Sequence, residues 1–133
     1  MAHVLDASAL IAYFEKETGY EKVQELLTAA AAGNRKLLLS TVNWGEIYYV
    51  AYRTYGSEQA NQIARILETF PIELVPADLD LATHAALLKA TNKLPYADCF
   101  AAALAKMKRA ILVTGDRDFK EVDGAIKILW LST

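Results

Sequence analysis

Short apolar runs alternate along the whole chain with longer stretches in which apolar residues recur at helical spacing. The strand-like runs fall at residues 3–5, 36–41, 71–75, 110–114 and 126–131. The run Leu37-Leu38-Leu39 is continuously apolar, which suits a strand covered on both faces. Strands that alternate with helices throughout a chain are typical of a parallel sheet. We therefore predict an α/β fold with a mainly parallel central sheet of four to five strands, flanked by helices.

The chain length and its helix starts indicate how these elements are organised. The 133 residues contain no linker, repeat or low-complexity segment, so residues 1–133 are predicted to form a single domain. Ser8 is predicted to cap the first helix, because its hydroxyl can accept from a free backbone N–H. Ser40, Thr41 or Asn43 is predicted to cap the helix that follows the second strand. Pro95 marks a later helix start.

The composition restricts the location of the protein and its partners. With 14 Lys+Arg and 16 Asp+Glu, the net charge of −2 argues against nucleic-acid binding by bulk attraction. The single cysteine, Cys99, cannot form an internal disulfide and is expected to pack as a small buried hydrophobe rather than act as a nucleophile. No targeting segment or apolar stretch of about 20 residues is visible, so a cytoplasmic protein with no membrane partner is expected.

Four acidic residues occupy equivalent places in the predicted fold. Asp6 follows the first strand, Glu46 begins the helix after the second, Asp98 begins the helix after Pro95, and Asp116 follows the fourth strand. In a parallel sheet the carboxyl ends of the strands share one edge, where ligands bind. Four converging carboxylates would repel one another, and Mg²⁺ or Mn²⁺ would offset that repulsion.

Each acid also has a simpler explanation when it is taken alone. Glu46 and Asp98 would complement a helix dipole, which contributes roughly 0.3–1 kcal/mol. Asp6 and Asp116 could be turn residues. The functional interpretation therefore depends on the four acids occurring together at one edge of the sheet.

The local context of these acids forms an ordered set of motifs. These are the strand followed by Asp6-Ala7-Ser8, Glu46 in its helix, Leu94-Pro95-Tyr96-Ala97-Asp98, and Thr114-Gly115-Asp116-Arg117-Asp118-Phe119. The set resembles the PIN domain and, within that family, the VapC toxins of prokaryotic toxin–antitoxin pairs. Trp44 and Gly45 depart mildly from the family pattern just before Glu46, which affects the expected shape of the substrate groove.

The resemblance implies a PIN-like three-layer fold and a Mg²⁺- or Mn²⁺-dependent endoribonuclease. Cleavage of RNA phosphodiester bonds would leave a 3′-hydroxyl and a 5′-phosphate. The residues that match the catalytic and metal-binding quartet are Asp6, Glu46, Asp98 and Asp116. Ser8 and Thr114 match hydroxyl positions beside the acids, and Asp118 matches an additional acid of variable role. The resemblance also implies a homodimer and a VapB-type antitoxin as a partner.

The near-neutral charge then predicts a divided surface, with an acidic pocket filled by metal and basic residues at its rim. The residues proposed to contact RNA, because they lie near the acidic motifs in sequence, are Arg53, Lys93, Arg117 and Lys120. The basic residues Lys106, Lys108 and Arg109 are expected at the far end of their helix, opposite the site. His84 is far from every acidic motif, and His3 lies within the first predicted strand rather than at its end. Neither histidine is expected to be catalytic.

One helix carries a dense group of aromatic residues of open interpretation. Its members are Trp44, Tyr48, Tyr49, Tyr52 and Tyr55. They could form a buried helix face, a dimer surface or a groove for an amphipathic antitoxin helix.

Several other functions compete with the nuclease interpretation. A non-catalytic RNA- or antitoxin-binding module could hold metal with the same acids. A haloacid-dehalogenase-like hydrolase would need a second Asp where this chain has Ser8, and neither glycine fingerprint of a nucleotide-binding enzyme occurs. A DNA-processing nuclease of the broader group would need extra elements for which the chain has no spare length.

Overall fold

The computed structural model describes residues 1–33 and 35–132, in which strands and helices alternate as predicted. The strands are β1 (His3–Leu5), β2 (Leu37–Ser40), β3 (Ile72–Val75), β4 (Ile111–Thr114) and β5 (Ile128–Trp130). The α-helices are α1 (Ala7–Glu15), α2 (Tyr20–Gly33), α3 (Thr41–Tyr55), α4 (Ser57–Glu68), α5 (Leu79–Thr91) and α6 (Tyr96–Lys108). A 3₁₀ helix, η1 (Arg117–Val122), follows β4 and was not predicted from the sequence.

The five strands form one sheet in the order β3-β2-β1-β4-β5, and every pair of neighbours is parallel. Strand β1 lies at the centre, where Val4 is paired with Leu38 of β2 and with Leu112 of β4. The predicted α/β fold with a central parallel sheet is confirmed.

Residues that alternate along each strand face two different core layers. Val4, Leu38 and Leu112 pack with α5 and α6 on one face of the sheet. Leu5 and Val113 pack with α1, α2 and α3 on the other face. This alternation follows from the two-residue period of a strand, and it explains why β2 and β4 carry apolar residues on both faces. The result is three layers, with the sheet between two layers of helices.

Helix α6 is the most deeply buried helix of the described chain. Its segment Cys99–Ala105 is buried on every side, and Cys99 has no solvent exposure. Five of these seven residues are small, so the helix can lie close against the sheet. The expectation that Cys99 is a buried packing residue agrees with this position.

The helix starts differ in one place from the prediction. Asp6, not Ser8, caps α1, because its carboxylate accepts from the backbone N–H of Ala9 at 2.8 Å. Strand β1 ends at Leu5 and α1 begins at Ala7, so Asp6 occupies the capping position and Ser8 already lies within the helix. Ser40 caps α3, because its hydroxyl accepts from the Val42 N–H. Of the three predicted candidates, Ser40, Thr41 and Asn43, it is therefore Ser40 that occupies the capping position.

Hydropathy gives one further result for residues 1–33 and 35–132. None of their helices combines the length and the apolar character that crossing a membrane requires.

Candidate active site

The parallel sheet brings the predicted acidic residues to one edge. Asp6 directly follows β1, and Asp116 lies two residues beyond the end of β4. Glu46 lies on the second turn of α3, which begins immediately after β2. Asp98 lies in the first turn of α6. Because all five strands point the same way, these positions lie at the carboxyl edge of the sheet.

Three carboxylates at this edge approach one another closely. One oxygen from each of Asp98, Asp116 and Asp118 lies within 4.8 Å of the other two. Asp98 and Asp116 are half-buried, whereas Asp118 is exposed. Asp118, predicted only in a supporting role, therefore belongs to the tightest acidic group, while Asp6 and Glu46 lie outside that group.

Asp6 is almost completely buried and its carboxylate is held from three sides. The Ser8 hydroxyl donates to Oδ1 and Oδ2 at 2.8 and 2.9 Å, and the Thr114 hydroxyl donates to Oδ2 at 2.5 Å. The Ala9 N–H bond described above completes the set. Hydrogen bonds to a buried carboxylate offset part of the free energy that its desolvation costs. Because these bonds come from three different groups, they also hold the carboxylate in one orientation.

The two predicted hydroxyl residues also connect Asp6 to the loop that carries Asp116. Thr114 Oγ1 accepts from the Asp116 N–H at 2.9 Å, and Ser8 Oγ accepts from the Gly115 N–H at 3.1 Å. The two hydroxyls lie 3.2 Å apart. Asp116 in turn caps η1 by accepting from the Asp118 N–H at 2.9 Å. Ser8 and Thr114 thus position the acidic edge through a continuous hydrogen-bond network.

Asn43 is a site residue that the sequence interpretation missed. Its side-chain amide donates to Glu46 Oε1 at 2.9 Å and to the Ala97 carbonyl at 3.1 Å, so it joins α3 to the start of α6. The side chain is fully buried, and its Oδ1 has no hydrogen-bond partner. The signal was the spacing of three residues between Asn43 and Glu46, which places both side chains on one helix face.

The electrostatics of the site follow from burial and crowding. Burial and then the charges of Asp116, Glu46, Asp6 and Asp118 raise the pKa of Asp98 to about 7. Burial raises the pKa of Asp6 to about 6, against the opposing effect of its hydrogen bonds. Burial also raises the pKa of Glu46. Asp98 therefore lies close enough to each of the other four acids for their charges to disfavour its ionised form.

This arrangement fits a hard divalent cation. The donor set consists of carboxylate oxygens, and burial together with the charges of the neighbouring acids raises the pKa of Asp98 to about 7, well above its usual 3.8. A bound cation would favour the charged forms of these groups. Asp98, Asp116 and Asp118 could ligate directly, while Asp6 and Glu46 border them. Nitrogen and sulfur ligands, which would suit Zn²⁺, are absent from this three-residue group.

The predicted basic residues do not all lie together. Arg117 and Lys120 lie on η1, next to the acidic group. Arg53 lies on the last turn of α3, with its guanidinium 5.0 Å from the centre of the Tyr49 ring. Lys93 precedes α6, and its backbone N–H donates to Glu121 Oε1 at 3.1 Å. The structure thus places two of the four predicted contacts beside the acids.

The histidines and the aromatic residues have other surroundings. His3 is paired within β1, and His84 lies on α5 with Nδ1 at 2.8 Å from the Asp80 carbonyl. A fully buried aromatic face is wrong for α3, since Tyr49, Tyr52 and Tyr55 are 47, 51 and 45% exposed. These rings point away from the core because the buried stripe of α3 passes through other residues, which are Asn43, Ile47 and Ala51.

The fold and the site define an α/β protein with a carboxylate cluster at the carboxyl edge of a five-stranded parallel sheet. The profile of the PIN domain matches residues 3–125. The chain therefore belongs to the PIN domain family. No curated protein sequence matches the chain.

Solved structures with the same fold come from several bacteria. The DNA-bound VapBC complex of Salmonella typhimurium has a chain with a TM-score of 0.73 and 21% identity, covering 98% of each chain. VapBC2 of Rickettsia felis, bound to a promoter DNA fragment, has a TM-score of 0.74 and 19% identity, covering 97% of this chain and 98% of that chain. VapC20 of Mycobacterium tuberculosis, a toxin that cleaves the sarcin–ricin loop, has a TM-score of 0.65 and 17% identity, covering 90% of this chain and 93% of that chain.

Proposed function

We propose that this chain is a VapC-like toxin, a Mg²⁺- or Mn²⁺-dependent endoribonuclease that acts in the cytoplasm and is inhibited by a VapB-type antitoxin. The observation that carries the proposal is the approach of the Asp98, Asp116 and Asp118 carboxylates to within 4.8 Å at the carboxyl edge of a PIN fold. The similarity in fold to toxins of VapBC complexes supports the biological role. We treat residues 1–133 as one PIN domain.

The residues of the site divide into two roles in this proposal. Asp98, Asp116 and Asp118 would hold the cation directly, with Asp6 and Glu46 completing its negative surroundings. A divalent cation supplies the activation of water and the stabilisation of charge on the phosphate. Ser8 and Thr114 hold the Asp6 carboxylate, and Asn43 orients Glu46; these hydrogen bonds therefore fix the geometry before RNA arrives.

Removal of one carboxylate tests the proposed reaction. Asp98→Asn keeps the shape of the side chain, and we expect it to slow cleavage by about a thousandfold or more, since several kcal/mol of transition-state stabilisation depend on the bound cation. Asp80→Asn, which changes an exposed carboxyl on α5, is the matched control and should cleave normally. The measurement is cleavage of a fluorescent RNA in Mn²⁺.

Two results would contradict the ribonuclease proposal. Full activity in EDTA or in the Asp98→Asn protein would exclude the proposed chemistry. RNA binding in the presence of metal without cleavage of any RNA would favour a non-catalytic PIN module instead.

The partners are proposed on a separate observation. The half-exposed rings of Tyr49, Tyr52 and Tyr55 give α3 an apolar surface that a homodimer contact or an antitoxin helix could cover. We expect a VapB-type antitoxin, encoded next to this chain, to co-purify with it and silence its activity. Light scattering of the purified chain should give a dimer mass, and the triple change of these tyrosines to serine should alter that mass or abolish the co-purification.

A further inference from the structure

A cavity opens along η1, the 3₁₀ helix that also carries Asp118 of the acidic group. It has a volume of about 350 Å³, which is within the range of small-molecule and nucleotide pockets. The residues that line it are Lys22, Arg117, Lys120, Trp130 and Ser132. They come from α2, from η1 and from the end of β5, so only the folded chain brings them together.

The geometry of η1 separates this cavity from the acidic group. A 3₁₀ helix has three residues per turn, so residues three apart share a face. Phe119 and Val122 form the buried face, and Arg117 and Lys120 form the face that lines the cavity. Asp118 lies on the third face and contributes to the acidic group. One short helix therefore presents acids to one side and bases to the other.

The chemistry of the cavity suits a nucleotide. Lys22 Nζ donates to the Trp130 carbonyl at 2.9 Å, which fixes the ammonium beside the strand that carries the indole. An ammonium has three N–H donors, so two remain for a ligand. Among the described residues, the lining includes three basic side chains and an indole, and it includes no carboxylate. Basic side chains combined with an aromatic ring are the usual means of binding single-stranded nucleic acid.

We propose that this cavity is a subsite for single-stranded RNA, which binds the nucleotide next to the bond that is cleaved. Lys22 and Lys120 would bind the phosphate, and the indole of Trp130 would stack on the base. The proposal rests on the proposed ribonuclease function, since it places the scissile phosphate at the acidic group across η1. It adds Lys22 and Trp130, which are distant from the acidic motifs in sequence, to the substrate contacts.

Fluorescence of Trp130 gives a direct test, because the chain has only one other tryptophan. In a Trp44→Phe background Trp130 is the sole reporter. We expect a single-stranded oligouridylate of about ten nucleotides to quench it in EDTA, where no cleavage occurs. An equally charged polyglutamate peptide should leave the emission unchanged. Quenching by the peptide and not by the RNA would overturn the proposal in favour of an acidic protein segment.

Charge reversal identifies the side chains that neutralise phosphates. We expect Lys120→Glu and Lys22→Glu each to raise the Kd for the oligouridylate at least tenfold. The slope of log Kd against log salt should fall by about 0.7 for each phosphate that is no longer neutralised. Lys22→Arg keeps the charge and should bind nearly as the wild type does, which separates charge from any effect on folding. Lys127→Glu, at the amino end of β5 and away from this cavity, is the matched control and should leave the Kd unchanged.

The cleavage assay separates this proposal from the function on which it rests. In the active chain, Lys120→Glu should raise KM and leave kcat nearly unchanged. Cleavage that depends on Asp98 but is insensitive to Lys22 and Lys120 would overturn the subsite and leave the ribonuclease function standing. Binding that depends on these lysines in a chain that cleaves no RNA would support the subsite and overturn the ribonuclease function.

Discussion

Replacement of Thr114 by valine would remove one hydroxyl from the centre of the site while keeping the shape of the side chain. This fully buried hydroxyl donates to Asp6 Oδ2 at 2.5 Å and accepts from the Asp116 N–H at 2.9 Å. A hydrogen bond to a charged group contributes about 1.5–3 kcal/mol, and a neutral one about 0.5–1.5 kcal/mol. We expect Thr114→Val to lower the free energy of unfolding by about 2–4 kcal/mol, measured by urea denaturation in EDTA.

The size of this loss should depend on pH. The Thr114 bond favours the charged form of Asp6, and burial raises the pKa of that carboxyl in the folded state to about 6. Without the bond, the pKa of Asp6 in the folded state rises further above its value in the unfolded chain. The loss in free energy of unfolding is therefore largest at pH values where Asp6 is charged. The variant should therefore lose more stability at about pH 8 than at about pH 5.

The matched control for this experiment is Thr83→Val. Thr83 lies exposed on α5, where its hydroxyl donates to the Leu79 carbonyl at 2.7 Å, and its replacement should change stability by less than about 0.5 kcal/mol. If Thr114→Val unfolds like this control at both pH values, the hydroxyl does not hold Asp6 and the proposed network is wrong.

The same structure determines the expected outcome of four further perturbations. Asn43→Ala should slow cleavage by roughly 10- to 100-fold and move the acidic limb of the pH–rate profile upward, because the Asn43 amide lowers the pKa of Glu46. The melting temperature of the metal-free chain should fall as the pH rises from about 5 to 8, because the folded-state pKa of Asp98 is raised to about 7 and the unfolded chain releases that proton first; calorimetry should show a smaller fall for Asp98→Asn. Gly19→Ala should destabilise the chain by more than about 2 kcal/mol in urea, since Gly19 has a φ of +86° and a Cβ there would lie 2.2 Å from a carbonyl oxygen. Gly45→Ala, in α3 with nothing within 4 Å of its Cβ, should instead stabilise the chain by roughly 0.5–1 kcal/mol.

Much of the fold and the edge where the acids meet could be predicted from the sequence. Apolar runs such as β2 and β4 fix the strands, and a parallel sheet places the residues that follow them at one edge. Chain order and element type alone therefore place Asp6 and Asp116 at the same edge.

The contacts between side chains could not be predicted in the same way. Asp6 and Ser8 are both good capping residues, and only the end of β1 decides between them. Asp118 joins the tightest acidic group because η1 directs its side chain toward Asp98 and Asp116, and η1 left no clear periodicity in the sequence. Lys22 bonds to the carbonyl of Trp130, which lies 108 residues later in the chain. The spacing of motifs does not predict a contact between residues so far apart in sequence.

The central position of β1 has a consequence for the biogenesis of the chain. The hydrogen bond between Thr114 and Asp6 joins residues 108 apart, and β1 pairs with β4 over the same separation. Contacts this far apart in sequence form late, and a chain emerging from the ribosome presents its first residues long before their partners. The acidic edge is therefore incomplete until residues up to Asp118 have been synthesised. A nascent chain that has not yet reached β4 cannot assemble this site.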